Sequence, residues 1–545
     1  MNSAPRPRAA THVQLPPALI LGCNCLPDSI VPRRVPRFMS DTTGTVYLVG
    51  AGPGDAGLFT MRGAELLKRA DVVVYDALVN TDLLRLAPAD AEIIYGGKRA
   101  KAHAIPQDQL NQLLVDKAKE GKTVVRLKGG DPYLFGRGGE EAQELKAAGV
   151  SFEVVPGISS FYSAPNYAGI PVTHRDHCAN FTVLTGHEDP NKEESSIDWE
   201  QLAKASGTKV VLMGVERIRR ITERLIENGM DAETPVAMVR WGTTGRQRSI
   251  DGTLSTIADV VEETGFKAPA VTIIGGVASL RSELNWFENR PFFGKRIVVT
   301  RTRKQASRLS SQLSELGAEV LEIPTIRVEP AADRQAVVDA MMELNSYSWL
   351  VFTSPNGVDM FFDMFFKAFP DLRDLGGVRI AAVGPATAAK LKDLHLAVDV
   401  MPQKYLTKEV AQAINEFENV ENLKILLARA KVANPDLPKE LEELGAIVDD
   451  IACYQTVQET EDVTGHAEDF SENGADVITF TSSSTVENFH ARFDLPAMVK
   501  KFPDLALASI GPETSRAIIE LGLQPDIEAT EHTIAGLVEA LQSEL

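Results

Sequence analysis

The sequence predicts an α/β protein, and three features support this class. Short runs of β-branched and apolar residues repeatedly end in glycine, amphipathic stretches separate these runs, and the second half contains an internal duplication. Strands that alternate with helices favour parallel sheets covered by helices. We therefore expect two α/β regions, which meet near residue 282.

The first region begins with the strand TVYLVG at 45–50, and an amphipathic helix follows at 58–70. The run DVVVYDALV at 71–79 is typical of a buried strand. TVVRLKGGDP at 123–132 is a strand that enters a glycine-rich turn, and the helix at 140–149 ends at glycine. SFEVVPG, FTVLTG and KVVLMG continue the alternation of strands that end in glycine.

The second region repeats itself with an offset of 127 or 128 residues. The repeated pairs are KRIVVTR (295–301) with LKILLAR (423–429), LGAEV (316–320) with LGAIV (444–448), TSPNGVDMFF (353–362) with TSSSTVENFH (481–490), and AAVGPATAAKL (381–391) with ASIGPETSRAI (508–518). This duplication predicts two similar α/β lobes with polar turns that face a cleft.

Composition limits the classes of function. The chain has 56 basic and 75 acidic residues among 545, a net charge of −19, which argues against nucleic-acid or membrane-surface binding. No apolar run is long enough for a transmembrane helix. Four cysteines are too few for a disulfide framework, so we expect a reducing, cytoplasmic compartment.

Two segments leave alternatives open. Residues 1–44 are predicted to be a disordered leader, or in part an upstream extension ahead of a true start at Met39. ALILGC at 18–23 faintly resembles a lipoprotein cleavage site, but its apolar core is short. HRDHC at 174–178 allows a metal site or a loop with satisfied histidines. Because no further ligand cluster stands out, we predict no metal.

The turn VGAGPGD at 49–55 lies between a strand and a helix. It departs from the dinucleotide-binding spacing, so by itself it is either a tight turn or a place where backbone approaches a small ligand. Together with YGGKRAKAHAIPQ, RLKGGDPYLFGRGGEE, PGISS, GIPVTHRD, TGHED and MG, it resembles the uroporphyrinogen-III C-methyltransferases over about residues 45–280.

This resemblance implies a tetrapyrrole methylase fold with two α/β subdomains at 45–282, S-adenosylmethionine as methyl donor, and a homodimer formed through this domain. The positions that match the family's S-adenosylmethionine contacts are Pro53, Gly129, Gly130, Asp131, Leu134, Ser159, Ser160, Met213 and Gly242. Phe161 is bulkier than the family's usual small residue at its position.

The resemblance also assigns Asp76 as proton acceptor and Lys98 as proton donor. Methylation of an electron-rich pyrrole carbon requires a proton to leave a neighbouring position, and a carboxylate at the end of a strand can accept it. The alternatives are a turn or N-cap role for Asp76 and a solvated surface position for Lys98. Substrate carboxylates are expected to bind a group of cations, namely Arg126, Arg137, Arg99, Lys101 and Arg175.

After a linker at 283–293, residues 294–545 resemble uroporphyrinogen-III synthase, through VVTRTRKQA, FTSPNGV, AVGPAT, YQTV, FTSSSTVENF and SIGPETSRA. The resemblance implies two flavodoxin-like lobes joined by a two-strand ladder, which the chain crosses near Ile326–Pro330 and Tyr454–Gln458. Lobe one then comprises 294–328 and 456–545, and lobe two comprises 329–455. No metal or organic cofactor is implied for this half.

Hydroxyl groups are the expected working parts of this second half. Tyr454 matches a tyrosine suspected of assisting the departure of hydroxide, and its alternative is a core tyrosine at a strand end. Ser354, Thr387, Ser483 and Thr514 match polar positions of the cleft, although such residues also cap helices.

Jointly, the two resemblances predict that the chain makes uroporphyrinogen III from hydroxymethylbilane and methylates it twice to precorrin-2, toward siroheme or cobalamin. Two alternatives remain: methylation of another tetrapyrrole, and a synthase-like half that binds or regulates without catalysis.

Overall fold

The computed structural model describes most of the chain from residue 43 onward. The described ranges are 43–97, 105–187, 196–300, 303–402 and 407–545. Lys98, Arg99 and Lys101 lie outside them, as do residues 1–42 of the expected leader. Within these ranges the chain forms four five-stranded sheets with helices between the strands, which confirms the predicted α/β class.

The first subdomain is built on a parallel sheet. Its strands are β1 (Thr45–Gly50), β2 (Val72–Tyr75), β3 (Glu92–Tyr95), β4 (Val124–Lys128) and β5 (Ser151–Val155), and its helices are α1 (Met61–Leu67), α2 (Gln107–Lys119), α3 (Gly138–Ala147) and α4 (Ser160–Tyr167). The strand order is β3-β2-β4-β1-β5. Because all neighbours are parallel, the carboxyl ends of the strands and the turns after them share one edge.

The second subdomain has a mixed sheet. Its strands are β6 (Phe181–Thr185), β7 (Thr208–Leu212), β8 (Pro235–Arg240), β9 (Arg248–Thr253) and β10 (Ala270–Ile274), and its helices are α5 (Trp199–Lys204), α6 (Ile218–Glu227), α7 (Ile257–Glu263) and α8 (Arg281–Leu284). The order is β6-β7-β10-β8-β9, in which only β6 and β7 are parallel.

The second half of the chain builds two further sheets. In chain order its strands are β11 (Arg296–Val299), β12 (Glu319–Glu322), β13 (Ile326–Pro330), β14 (Trp349–Phe352), β15 (Arg379–Ala382), β16 (Lys424–Ala430), β17 (Ile447–Gln458), β18 (Val477–Phe480), β19 (Ala506–Ser509) and β20 (Ile527–Glu528). The helices between them are α9 (Arg303–Glu315), α10 (Arg334–Met342), α11 (Pro355–Ala368), α12 (Pro385–Asp393), α13 (Thr407–Phe417), α14 (Asp436–Glu443), α15 (His466–Asn473), α16 (Ser483–Phe493), α17 (Leu495–Lys501), α18 (Pro512–Glu520) and α19 (Ile534–Glu544).

The internal duplication corresponds to a shared strand order. Lobe one has the order β12-β11-β18-β19-β20, and lobe two has the order β13-β17-β16-β14-β15. The repeated sequence segments pair β12 with β17, β11 with β16, β18 with β14 and β19 with β15. Each lobe therefore contains the same four-strand parallel core, and the apolar repeats form it.

The two lobes are joined where β13 pairs antiparallel with the end of β17. In this ladder Ile326 lies opposite Gln458, and Pro330 lies opposite Tyr454. The crossings implied by the resemblance lie at these residues. The lobe-one sheet contains strands from both sides of this excursion, so lobe one is discontinuous in the chain.

The segment after α8 is packed rather than extended away from the domains. The Trp286 indole donates to the carbonyl of Asn166 at 3.0 Å, and the Phe287 ring lies 4.9 Å from the Tyr167 ring. Phe292 is buried in the lobe-one core. The expected linker thus connects the hydrophobic cores of the two halves.

Two elements are shorter than their sequence patterns suggest. Helix α1 begins at Met61 because the Thr60 hydroxyl accepts from the backbone N–H of Gly63 at 3.1 Å and caps the helix. Strand β2 ends at Tyr75, since the chain turns there and the Val79 N–H donates to the Asp76 carbonyl. No helix in the described ranges is both long and apolar enough to cross a membrane.

Candidate active sites

Three glycines bring the ends of β1, β4 and β5 into backbone contact. A Cβ at Gly157 would lie 2.2 Å from the Gly130 carbonyl oxygen, and a Cβ at Gly50 would lie 2.5 Å from the Gly157 Cα. Gly130 also has φ of +67°, and it exchanges two backbone hydrogen bonds with Gly52. Side chains are therefore excluded between these strand ends, and backbone packs directly on backbone.

Asp131 fixes two of these turns to each other. Its carboxylate accepts from the Gly157 N–H at 3.0 Å and from the Tyr133 N–H at 2.8 Å. Gly130 approaches Ser159, which is buried at the N-terminus of α4. The structure thus brings together the predicted cofactor positions at 129–131 and 159.

The turn at Gly54 and Asp55 is held from two sides. From the first subdomain, the Asn80 side chain donates to the Gly54 carbonyl at 2.7 Å. From the second, the Thr243 hydroxyl accepts from the Asp55 N–H at 3.0 Å. The Tyr167 hydroxyl donates to the Asp55 carboxylate at 2.7 Å. This turn, which contains Pro53, therefore lies where the two subdomains meet.

The other predicted cofactor positions lie at strand ends or helix starts. Gly242 follows β8 and packs on Ala164 of α4, which begins at Ser160. Leu134 belongs to the turn after β4 and is partly exposed. Met213 follows β7, has φ of +56° and is 50% exposed, which is unusual for a large apolar residue.

Asp76 lies directly after β2, at the same sheet edge as the glycine turns. The Arg126 guanidinium donates to its Oδ1 at 2.5 Å, and the Asp76 side chain is about one-third exposed. One carboxylate oxygen is thus bound to a buried cation, while the group still reaches solvent. This arrangement holds a carboxylate in a fixed, solvent-accessible position at the sheet edge.

Behind Asp76 lies a buried ionic network. Arg126 and Lys128 both contact Oε1 of Glu141, at 3.3 and 2.7 Å, and all three side chains are almost fully buried. Burial lowers the pKa of Lys128, and the neighbouring Arg126 lowers it further, while Glu141 opposes both effects. The network connects β4 to α3, and through Arg126 it fixes the position of Asp76.

The prediction that Arg126 binds a substrate carboxylate is wrong for this structure. Arg126 is 2% exposed, and its donors are directed to Asp76, Glu141 and the Leu127 carbonyl. Arg137, by contrast, is half exposed at the start of α3 and pairs with Glu140 at 2.5 Å. Arg175 is exposed in the 174–178 loop. Both remain predicted substrate contacts.

The 174–178 loop closes on itself by backbone bonds. The N–H groups of His177 and Cys178 donate to the His174 carbonyl, and the Cys178 sulfur lies 3.2 Å from the Thr208 hydroxyl. The described residues contain no group of three side chains arranged to hold a metal ion.

In the second half, Tyr454 and Ser354 form a hydroxyl pair. Their oxygens are 2.8 Å apart, and Ser354 also caps α11 by accepting from Gly357 N–H at 3.1 Å. Tyr454 is 6% exposed and packs in the lobe-two core, so burial raises its pKa and keeps it a hydrogen-bond donor. This burial favours the alternative of a core tyrosine, and its catalytic role remains a prediction.

The other predicted hydroxyls differ in their surroundings. Ser483 is part of the start of α16 and donates to the Glu513 carbonyl at 2.9 Å, whereas Ser482 is the residue that caps the helix. Thr387 and Thr514 lie in the first turns of α12 and α18 and are each 3% exposed. Both side chains are buried at these helix starts, and their assignment to the cleft stays a prediction.

Three residues that support the first site are not predicted from the sequence: Asn80, Glu141 and Thr243. Only Glu141 left a signal. Arg126 and Lys128 alternate on one face of a strand that is otherwise apolar, and buried cations require a carboxylate partner.

Comparisons with known proteins agree with this architecture. A family model described as Tetrapyrrole (Corrin/Porphyrin) Methylases matches residues 45–258, and one described as Uroporphyrinogen-III synthase HemD matches residues 307–539. A porphyrin biosynthesis protein HemD of Ruminiclostridium josui is 38% identical over 499 residues, which cover 91% of this chain and 97% of that protein.

Two further relatives match the first half alone. An S-adenosyl-L-methionine-dependent uroporphyrinogen III methyltransferase of Methanosarcina barkeri is 53% identical over 45% of this chain and 96% of its own length. A siroheme synthase of Chromobacterium violaceum is 48% identical over 47% of this chain and 54% of that protein. The chain therefore belongs to the family of enzymes that join a uroporphyrinogen-III C-methyltransferase to a uroporphyrinogen-III synthase.

Proposed function

We propose that this chain converts hydroxymethylbilane to uroporphyrinogen III in its second half. Its first half then methylates that product twice, with S-adenosylmethionine, to precorrin-2. One observation carries the proposal: an oriented, solvent-reaching carboxylate, Asp76, lies at the same sheet edge as turns whose backbone is bare of side chains. The match to a uroporphyrinogen III methyltransferase over 96% of that relative supports the choice of substrate.

The strand-end turns fit the methyl donor. Gly130 carries no side chain, and a Cβ there would have no neighbour closer than Ser159 at 3.8 Å. Met213 exposes an apolar side chain at the end of another strand. A sulfonium nucleoside needs close backbone approach for its polar groups and apolar contact for its adenine. When bound, S-adenosylmethionine supplies an electrophilic methyl group.

Asp76 then has a defined task. A pyrrole carbon that gains a methyl group must lose a proton from a neighbouring position, and the Asp76 carboxylate accepts it. Arg126 binds Oδ1 and holds the group in place, while the side chain keeps its access to solvent and so to the substrate. Lys98, predicted to donate a proton, lies outside the described residues, so its role rests on the family resemblance.

In the second half, ring closure with loss of water requires groups that orient carboxylates and assist a departing hydroxide. The Tyr454–Ser354 pair supplies neutral donors near the ladder that joins the lobes. No single side chain is expected to be indispensable here.

A coupled assay tests the proposal. Hydroxymethylbilane and S-adenosylmethionine are given to the full chain, and precorrin-2 is expected as the methylated product. Label transfer to uroporphyrinogen III supplied directly tests the first half, and its absence would favour another tetrapyrrole as acceptor.

The same chain with hydroxymethylbilane alone tests the second half. The type III isomer is expected. Formation of the spontaneous type I isomer only would indicate a synthase-like half without catalysis.

We also propose a cytoplasmic location, which the small number of cysteines supports, and a homodimer formed through the first half. Light scattering of the purified chain measures its mass in solution and tests the dimer. The destination of the product, siroheme or cobalamin, depends on the enzymes that act next. Relatives named siroheme synthases favour the former.

A further inference from the structure

The edge strand of lobe one, β12, contacts two loops of the first half of the chain. We call these the 76–86 loop, which continues from Asp76 through the 3₁₀ helix Thr81–Leu86, and the 241–247 loop, which follows β8. An uncovered edge strand exposes unpaired backbone groups, and proteins usually cover or charge it. Here the covering elements come from the other enzyme of the fusion.

The 76–86 loop is bound to lobe one at two points. The Arg85 guanidinium pairs with the Glu322 carboxylate and also donates to the Glu322 carbonyl at 3.4 Å. The Thr81 hydroxyl donates to the Thr464 carbonyl at 2.8 Å. The Glu322 side chain is only 12% exposed, so solvent and salt screen this ion pair less than an ordinary surface ion pair.

The 241–247 loop is bound to the same strand. Arg246 contacts Glu319 at 3.1 Å, and its guanidinium lies 4.6 Å from the centre of the Trp241 ring. Gly245 packs so closely on the strand that a Cβ there would lie 2.2 Å from the Glu319 nitrogen. The contact thus combines an ion pair with a backbone approach that only glycine permits.

At their other ends, both loops hold the Gly54–Asp55 turn. Asn80, directly before Thr81, donates to the Gly54 carbonyl, and Thr243, two residues before Gly245, accepts from the Asp55 N–H. The 76–86 loop also carries Leu78, which a Cβ at Gly129 would approach to 3.0 Å. Each loop therefore links β12 to the turns assigned to the methyl donor.

We propose that lobe one of the synthase half positions the methyl-donor site of the other half. Arg85 and Arg246 are positioning residues in this view, because they act through the Gly54–Asp55 turn and touch neither donor nor acceptor. The proposal rests on the proposed function, since the donor must bind at these turns. It predicts that methyl transfer in this chain depends on contacts made by the synthase half.

The test uses the full chain, with Arg85→Ala, Arg246→Ala and the conservative Arg85→Lys. For each alanine variant, we expect the KM for S-adenosylmethionine and the Kd for S-adenosylhomocysteine to rise about tenfold, which is the size of a typical coupling between two sites. The kcat should change little. Arg85→Lys should stay close to wild type because it keeps the cation. Conversion of hydroxymethylbilane should be unchanged in all three.

A double-mutant cycle separates positioning from general damage. Arg85→Ala, Glu322→Ala and the double variant should show strongly non-additive Kd values for S-adenosylhomocysteine, because either change breaks the same pair. If an Arg85 variant folds poorly, Thr81→Val tests the same contact, because it removes only the hydrogen bond to the Thr464 carbonyl. Arg219→Ala removes an exposed ion pair with Asp259 and Glu262 and should leave Kd as in wild type.

The outcomes distinguish the two proposals. If the wild-type chain fails to bind S-adenosylhomocysteine, the proposed function itself fails. If the wild type binds it and Arg85→Ala, Arg246→Ala and Thr81→Val bind it equally well, the positioning role of lobe one is overturned.

Discussion

The two halves of this chain hold their polar groups in opposite ways. In the first, Asp76 rests on a buried network of Arg126, Glu141 and Lys128. In the second, the neutral hydroxyls of Tyr454 and Ser354 contact each other at the end of a strand. Methyl transfer must dispose of a proton, so it needs one particular base, whereas ring closure mainly needs groups that orient the substrate. Single substitutions should therefore damage the first activity far more than the second.

Asp76→Asn should produce the largest effect. The amide keeps the shape of the side chain but cannot accept the proton, so methyl transfer should fall by about 10²-fold or more. Transfer of labelled methyl to uroporphyrinogen III measures this, and conversion of hydroxymethylbilane by the same sample shows that the chain is folded. Asp116→Asn, a change on the exposed face of α2, is the matched control. Loss of both activities in Asp76→Asn would indicate a structural role instead.

Glu141→Gln tests the network beneath Asp76. The change leaves Arg126 and Lys128 buried without their shared carboxylate, and removal of one partner of a buried ion pair costs about 3–5 kcal/mol. The free energy of unfolding, measured with denaturant and circular dichroism, should fall by that amount. The neighbouring Glu140→Gln breaks only the exposed pair with Arg137, which is worth about 0–1 kcal/mol. Equal stability losses in both variants would show that the network contributes little.

Tyr454→Phe tests how far ring closure in the second half depends on one hydroxyl. Loss of the hydroxyl leaves Ser354 as the cap of α11 and removes one neutral hydrogen bond, typically about 1 kcal/mol, so ring closure should slow by at most about tenfold. The ratio of type III to type I product measures the effect. Tyr347→Phe, which removes another lobe-two hydroxyl that is bound to Asp449, is the control. If Tyr454→Phe abolishes ring closure and Tyr347→Phe does not, the second half depends on a single side chain, as the first half depends on Asp76.

The sequence predicted the features that depend on local patterns and on repetition. The strand TVYLVG appears as β1 with the same ends, and the four duplicated segments form matching strands in the two lobes. The ladder of Ile326–Pro330 with Tyr454–Gln458 lies where the resemblance to uroporphyrinogen-III synthase implies it. The pattern of Arg126 and Lys128 on one face of an apolar strand indicates buried cations with a carboxylate partner. Which carboxylate lies across from them, Glu141 of α3, follows from tertiary packing alone. The contacts of Arg85 and Arg246 with β12 join residues more than 70 positions apart and follow from tertiary packing alone.

The smallest expected effect concerns the junction of the two lobes. Arg492 of α16 donates to the carbonyls of Pro324, Glu459 and Thr460, at 3.0 to 3.3 Å, and so ties both crossing strands to lobe one. Arg492→Met removes these bonds, and we expect faster hydrogen exchange at residues 323–326 and 458–461 with a change in ring closure of only a few-fold. Arg516→Met, which removes an exposed pair with Glu513, should leave both unchanged. If Arg492→Met instead abolishes ring closure, the junction is rigid for a catalytic reason, and the second half depends on one cation as strongly as the first depends on Asp76.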